Sequence, residues 1–338
     1  MMRASALLRR TTPGLRGCRR LLACVAIVLL PWADAAADAG VYPDHQIRIV
    51  ASFPPGTAMD IVARIVAIKL AEAMGQPVVV ENRPGASGNI GSEYVAKSAP
   101  DGYTLAIAGV TITMNPAAMG DRAVDPVHAF APITRLTTQP VVLVAAPSFP
   151  PNTLAELLAL ARREPGKFAY GTSGVGTPPH LAGALLATRA SVELVHIPYA
   201  ATSQGINGTL SGDVPLAFTF LGVADPMLRS GRVKALAVTG RHRASAFPDI
   251  PTVAEQGFPG FDVTSWFGIL APAGPPAEVV LRLNRELVRI VNLPDVRARL
   301  VGMGNDIVGN SPEAFAAEIR ADVARWGPIM HAAGIRGE

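Results

Sequence analysis

The chain has 338 residues, 30 Lys and Arg against 26 Asp and Glu, a formal charge of +4 and 49% hydrophobic residues. That length suffices for two domains with substantial cores. The basic excess is local: residues 1–37 hold six Arg and one acid, Asp34, so the remainder carries about −1, which argues against nucleic acid as a partner.

Residues 1–37 read as a cleaved signal peptide. Arg3, Arg9, Arg10, Arg16, Arg19 and Arg20 form a basic start, and Leu21 to Leu30 an apolar run too short to span a bilayer. Pro31 breaks the run. Small residues from Ala33 to Ala39 then offer cleavage near Ala37 or Ala39. Leu21-Leu22-Ala23-Cys24 has a lipoprotein-like look, but most of the apolar run follows the Cys. The Arg pairs suggest a twin-arginine signal but lack its context. Cys18 and Cys24 leave with the leader, so the mature chain is expected to have no disulfide and no thiol nucleophile. The expectation is a periplasmic, soluble monomer.

Strands and helices then alternate. Gln46–Ala51 reads as a strand, Phe53–Asp60 as a turn, and Ile61 to about Met74 as a helix. Pro77–Glu81 is a second strand, Arg83–Gly91 a glycine-rich turn opening a helix to about Lys97, and Tyr103–Ala108 a third strand. The pattern restarts at Val141–Ala145. A helix follows from Leu154 to about Arg163, with Thr153 as cap and Glu156 at its third position. Next come Phe168–Tyr170, the turn 171–180 and a helix from Leu181. Strands at Leu194–Ile197, Val214–Phe218 and Lys234–Val238 follow, with a polar turn at 199–205 and a long loop at 240–260. Phe261–Ala271 is extended, and helices Ala277–Asn292 and Pro312–Ala333 close the chain. This alternation predicts an α/β protein with parallel-sheet domains. The expected boundaries are 41–138 plus 265–338 for domain 1 and 139–264 for domain 2. A ligand cleft is expected between them, outside the carboxyl ends of the strands.

Gly171 to His180 is the most informative stretch: Gly-Thr-Ser-Gly-Val-Gly-Thr-Pro-Pro-His. A glycine-rich turn that opens a helix presents backbone N–H groups and partial positive charge, which suits a carboxylate or phosphate. No Lys or Arg lies in it, so amides and the hydroxyls of Ser173 and Thr177 would hold the anion, with Gly174 and Gly176 giving access. The 53–60 turn offers a second such place. Gly56, Thr57 and Ala58 leave its backbone approachable beside Pro55, and Phe53 could pack on ligand or core. Asp60 could cap the helix or accept from a ligand amine. Ser87 is the residue to test in the 85–91 turn.

Enzyme motifs are missing. Gly-x-Ser-x-Gly fails at Val175, and Gly-x-Gly-x-x-Gly fails at Pro179. The six histidines show no metal-ligand spacing, so neither metal nor cofactor is expected. A hydrolase would have to use Ser173 with His180, which is poor geometry across a helix start. His180, near a helix N-terminus, reads as neutral and as a structural hydrogen-bonding group. Trp266-Phe267 reads as core or hinge and Trp326 as core.

Several blocks carry a resemblance. They include Gly75-Gln76-Pro77-Val78-Val79-Val80-Glu81-Asn82-Arg83-Pro84-Gly85, Ala99-Pro100-Asp101-Gly102-Tyr103-Thr104-Leu105, Ser173-Gly174-Val175-Gly176-Thr177, His180-Leu181-Ala182-Gly183, His196-Ile197-Pro198-Tyr199 and Pro251-Thr252-Val253-Ala254-Glu255-Gln256-Gly257. From Tyr42 to about Gly334 the chain resembles the Bug-type (TctC-like) extracytoplasmic solute receptors of tripartite tricarboxylate transporters. The resemblance implies a two-domain periplasmic-binding-protein (Venus flytrap) fold. It implies small carboxylate ligands held by loop amides and ordered water, and delivery to membrane permease subunits. Carried onto this chain, the ligand loops are 53–60 and 171–180, with contacts near Ser87, Thr111 and Tyr199. Closure would bring two helix N-termini to opposite ends of a carboxylate. A sensor acting through a membrane signalling partner remains the alternative. Four departures bear on specificity: Thr57 where the family usually has Gly, Ala200-Ala201 for Lys-Gly, and Gly208 and Thr219 near positions that are often acidic.

Overall fold

The structure is a computed structural model and describes residues 42–199 and 202–332. The expected signal peptide, both cysteines and Ala200-Ala201 lie outside the described residues. In chain order the first part holds β1 Ile47–Ala51, α1 Ala58–Met74, β2 Val78–Asn82, α2 Asn89–Ala96, β3 Thr104–Gly109, α3 Thr111–Met119 and the long β4 Phe130–Ala145. The second part holds α4 Leu154–Arg163, β5 Ala169–Thr172, α5 Pro178–Ala190, β6 Val195–Pro198, α6 Thr202–Ser211, β7 Leu216–Phe220, α7 Leu221–Arg229 and β8 Lys234–Val238. The chain then returns through β9 Thr264–Pro272, α8 Ala277–Val291, α9 Pro294–Gly302, β10 Asp306–Ile307 and α10 Pro312–Ala332. Among the described residues, no helix is long and apolar enough to cross a membrane.

The strands run in the order β2-β1-β3-β9-β4-β7-β5-β6, with β8 and β10 also paired to β4. The two ends are parallel: β1 with β2 and β3, and β5 with β6 and β7. The middle is antiparallel, because β4 and β9 carry the chain out to the second half and back. The sheet is therefore mixed, and only the ends match the expected parallel plan. β4 changes partner along its length. Phe130 to Pro140 pair with β9, whereas Val141 to Ala145 pair with β7 and β8. Thr239 fastens the change-over: its N–H and Oγ1 donate to Val141 O and Val263 N–H donates to Thr239 O.

Packing follows the patterns that form the elements. In α1, Val62, Val66 and Leu70 are buried on one face, and Gly75 ends the helix at φ 69°, a left-handed conformation open to glycine. α8 buries Val279, Leu283, Leu287 and Ile290 and exposes its arginine-rich side. Trp266 and Phe315 meet edge to face at 5.2 Å, and Trp266 Nε1 donates to Asp322 at 2.8 Å. Trp266, Phe267 and Trp326 are all buried.

Four helices escaped the pattern reading: α3, α6, α7 and α9. Pro116 interrupts α3 and Pro226 interrupts α7. Gly205 and Gly208 lower the intrinsic propensity of α6, which occupies part of the expected 199–205 turn. Tertiary packing overrides propensity here. A Cβ on Gly205 would lie 3.1 Å from Thr172 O, so the missing side chain is what lets α6 close on β5.

Gly222 is a similar contact on α7. A Cβ there would lie 2.1 Å from Met303 O, a backbone atom that cannot swing aside. Gly222→Ala is expected to destabilise the protein by about 1–3 kcal/mol through overpacking. An unchanged denaturant midpoint would show that the approach of α7 to the 303–304 turn is not constrained.

Candidate functional site

Two turns are built alike. Each has a glycine with positive φ, then a Thr as N-cap, then a side chain at the third helical position that reaches back. Gly56 has φ 82° and Gly176 φ 75°. Thr57 (φ −71°, ψ 160°) caps α1 and Thr177 (φ −79°, ψ 156°) caps α5. Thr57 Oγ1 donates to Pro54 O at 2.9 Å, and Thr177 Oγ1 donates to Gly174 O at 2.8 Å. Gly56 N–H donates to Asp60 Oδ2 at 2.9 Å, and Gly176 N–H donates to His180 Nδ1 at 3.1 Å. The back-bond makes each turn rigid and settles which amides are spent. The shared Gly-Thr-x-x-acceptor spacing is present in the sequence and would have revealed the pairing.

The first turn leaves the amides of Ala58 and Met59 without a protein partner among the described residues, as a helix start does. Asp60 is buried and committed. It accepts from Gly56, from Arg64 Nε at 3.0 and 3.1 Å and from Asn82 Nδ2 at 2.8 Å, and Asn82 also donates to Phe53 O at 3.0 Å. Arg64 first, then the Gly56 amide and Asn82, hold its pKa down at about 2 against burial. Asp60 therefore braces the turn and is not placed to accept from a ligand amine. Thr57 is committed too, since its hydroxyl proton goes to Pro54 O.

Phe53, Ser87 and Thr111 come together with Ser52, Met59 and Gly109 around a small pocket of about 10 Å³, roughly the room of one water. The hydroxyls of Ser87 and Thr111 have no protein partner among the described residues. Ser87 sits in a run of positive φ: Gly85 131°, Ala86 46°, Ser87 52° and Gly88 87°. Left-handed backbone at Ala86 and Ser87 is strained, and Asn115 Nδ2 helps hold it by donating to Ser87 O at 3.3 Å.

The second turn differs from the first in its donors. Pro178 and Pro179 occupy the first two helical positions of α5 and have no N–H. The α5 start thus lacks the two amides that α1 keeps, and the expected symmetry of two helix N-termini is not met. The donors left are the amides of Ser173, Val175 and Thr177, which have no protein partner among the described residues. Gly174 N–H donates to Thr172 Oγ1 at 3.2 Å. Ser173 Oγ donates to Thr177 Oγ1 at 3.4 Å while His180 Nδ1 accepts from Gly176, so the pairing a hydrolase needs is not formed.

His196 is the residue the sequence reading passed over. Its ring stacks on His180 with centroids 3.8 Å apart and planes at 15°, and its Nε2 lies 2.7 Å from Thr172 Oγ1. Tyr199 lies beside this group. Its N–H donates to Thr172 O at 3.0 Å, and its ring covers Gly171 and Gly208. A Cβ at 208 would lie 2.4 Å from Tyr199 Oη, so the absence of a side chain at Gly208 makes this tyrosine pose possible. Thr219, the other departure, lies buried on β7. Residues 53–60, 87 and 111 thus form one cluster, and 171–180, 196 and 199 form another.

A larger cavity of about 420 Å³ lies elsewhere, where β4, β9 and α10 meet. Many of its charges pair with one another, although Arg135 Nε and Arg325 Nε are buried without a hydrogen-bond partner among the described residues. Arg325 pairs with Asp262 and Asp322 at 3.2 and 2.6 Å, Arg241 with Asp262 at 2.9 Å, and Arg135 with Glu318 at 3.3 Å. It contains none of the residues expected to hold ligand.

A family model described as tripartite tricarboxylate transporter family receptor matches residues 62–335. The chain is 37% identical to the UPF0065 protein in the tcbD-tcbE intergenic region of Pseudomonas sp. (strain P51), over 93% of this chain and 94% of that one. Among solved structures it is similar to R. palustris Rpa4515 with adipate: 33% identity, TM-score 0.74, covering 88% of this chain and 100% of that one. It is also similar to MatC (Rpa3494) from Rhodopseudomonas palustris with bound malate: 31% identity, TM-score 0.70, covering 85% and 99%.

Two outcomes follow from the turns. Thr57→Ala should cost about 1 kcal/mol of stability by removing the N-cap, and Thr57→Ser should be nearly neutral; equal losses in thermal unfolding would contradict the cap. Asp60 has a depressed pKa, so its stabilisation is complete above about 3.8 and is lost as pH falls toward about 2. Asp60→Asn should be less stable at neutral pH and should flatten the acid side of the stability profile. A profile of unchanged shape would remove Asp60 from that role.

Proposed function

Because the chain belongs to the tripartite tricarboxylate transporter receptor family, we propose that it captures a small carboxylate between two lobes and delivers it to a membrane permease. The lobes are 41–138 plus 265–338 and 139–264. The partner change of β4 between Pro140 and Val141 supports a hinge there. The protein acts as a monomer after its leader is removed.

The observation that carries this reading is a set of unspent donors: Met59, Ser87 and Thr111, which line one small pocket and offer an amide and two hydroxyls, and the amide of Ala58 next to Met59 in the chain. None is a cation. Oriented amides at a helix start favour an anion without one. The facing loop adds the Ser173, Val175 and Thr177 amides, with Gly174 and Tyr199 shaping their surroundings. Phe53 and the exposed Val175 give the ligand's carbon chain apolar contact. The adipate and malate in two solved relatives support a dicarboxylate of that size.

Isothermal titration of the chain from residue 38 onward with malate, adipate, citrate and monocarboxylates tests this. At least one dicarboxylate should bind one to one, and Ser87→Ala should weaken it by about 0.5–1.5 kcal/mol, the worth of one hydrogen bond. Heat silence across the panel, with binding of a sugar or a cation instead, would overturn the proposal.

A further inference from the structure

We propose that His180 and His196 act as one positioning element for the 171–180 loop: their neutral, stacked rings hold its amides in the ligand-binding arrangement, and protonation releases them. The ligand-release part of this inference rests on the carboxylate-binding reading; the loop part does not.

The geometry requires neutrality at His180. Its Nδ1 accepts from Gly176 N–H at 3.1 Å, so that nitrogen carries no proton. Protonating it sets an N–H against an N–H and opens the back-bond. His196 acts one step away. Its Nε2 meets Thr172 Oγ1 at 2.7 Å, and the same oxygen accepts from Gly174 N–H at 3.2 Å. The pair therefore binds the loop at Gly174 and at Gly176. Between those anchors lies Val175, and beside them Ser173 and Thr177, whose amides remain unspent.

Surroundings resist charge on either ring. His180 is 7% exposed, and the two rings are in face-to-face contact, so a second charge would repel the first. Among the described residues Tyr170, on β5, is the titratable group in ring contact with the pair, its ring 5.3 Å from that of His196; β7 contributes Phe218 behind it, and α6 packs through Gly205 on Thr172. Burial raises the Tyr170 pKa well above its ordinary value, so it stays neutral. The charge His180 feels is that of His196, and among the described residues no carboxylate offsets it. Burial first, then His196, lowers the His180 pKa to about 4, and burial lowers that of His196. The sign follows. The unfolded chain takes up protons first, so the arrangement is fully stable above about pH 6.5 and weakens as pH falls toward about 4.

The substitutions that preserve the bonds without titrating are His180→Asn, whose Oδ1 replaces Nδ1, and His196→Gln, whose amide replaces Nε2. The first measurement needs no ligand. Imidazole and backbone amide resonances of the wild-type protein are followed by NMR from pH 7.5 to 3.5. The Gly174 and Gly176 amides should move together with the His180 ring, with a midpoint well below 6.5. A His180 that titrates at its ordinary value, or amides that ignore its titration, would overturn the inference.

The second measurement compares the affinity of wild type and His180→Asn/His196→Gln for the best carboxylate of the panel at each pH. The ligand's own ionisation cancels in the ratio. Wild-type affinity should fall relative to the double variant by at least about twofold by pH 4, as expected when the binding form is half depleted. A flat ratio overturns ligand release. A double variant that does not fold leaves the NMR titration of wild type as the deciding result. Absence of any carboxylate binding would count against the functional reading alone, because the amide titration stands without it.

Discussion

One hydrogen bond from a backbone N–H to a side chain in each turn decides what the rest of the site can do. Gly56 donates to Asp60 and Gly176 donates to His180. Each bond closes a loop between a strand and a helix, and each needs a left-handed glycine just before a capping threonine. A glycine amide spent on its own helix is removed from the list of donors for ligand. What a ligand meets is then a remainder: the amides and hydroxyls that the turn did not need. This is why hydroxyls that look available in a linear reading, those of Thr57 and Thr177, turn out to be structural, while those of Ser87 and Thr111 have no protein partner among the described residues.

The two turns share a plan but not a chemistry. The acceptor in the first is a carboxylate locked by Arg64 and Asn82, charged through the whole neutral range. In the second it is an imidazole stacked on another imidazole, which accepts only while neutral. The helix starts differ as well, with open amides on α1 and two prolines on α5. The α1 side keeps open amides at a helix end, and the 171–180 side keeps amides in a loop bonded to His180 and, through Thr172, to His196. Between them β4 passes from one set of partners to the other, so the sheet is continuous where the two halves meet.

Much of this was legible in the chain. The alternation of apolar runs and glycine-rich turns led to the α/β class, and β1 to β3, α1, α4, α8 and α10 fall close to the predicted spans. The helix α9 was missed, and α3, α6 and α7 did not show because Pro116, Gly205, Gly208 and Pro226 argue locally for turns. Those residues are tolerated by packing that no local pattern contains. The two glycine-rich turns were located by their glycines, and the structure shows how the side chains within them are engaged. Asp60 read as either a helix cap or a ligand acceptor and Thr57 as a ligand donor; in the structure Gly56, Arg64 and Asn82 engage Asp60, and Pro54 O takes the Thr57 hydroxyl proton.

By itself the sequence determined where strands end and helices begin, because glycine, proline and apolar spacing act on the backbone over a few residues. It also determined that the loops carry no cation, so any anion must be met by amides and hydroxyls. Only the tertiary structure decided which of those donors remain unspent. It brought Asn82 to Asp60, His196 to Thr172 and to the face of His180, and Tyr199 into the space left by Gly208. These partners come from neighbouring strands and helices, and adjacency across a sheet has no signature in the spacing of residues along one chain.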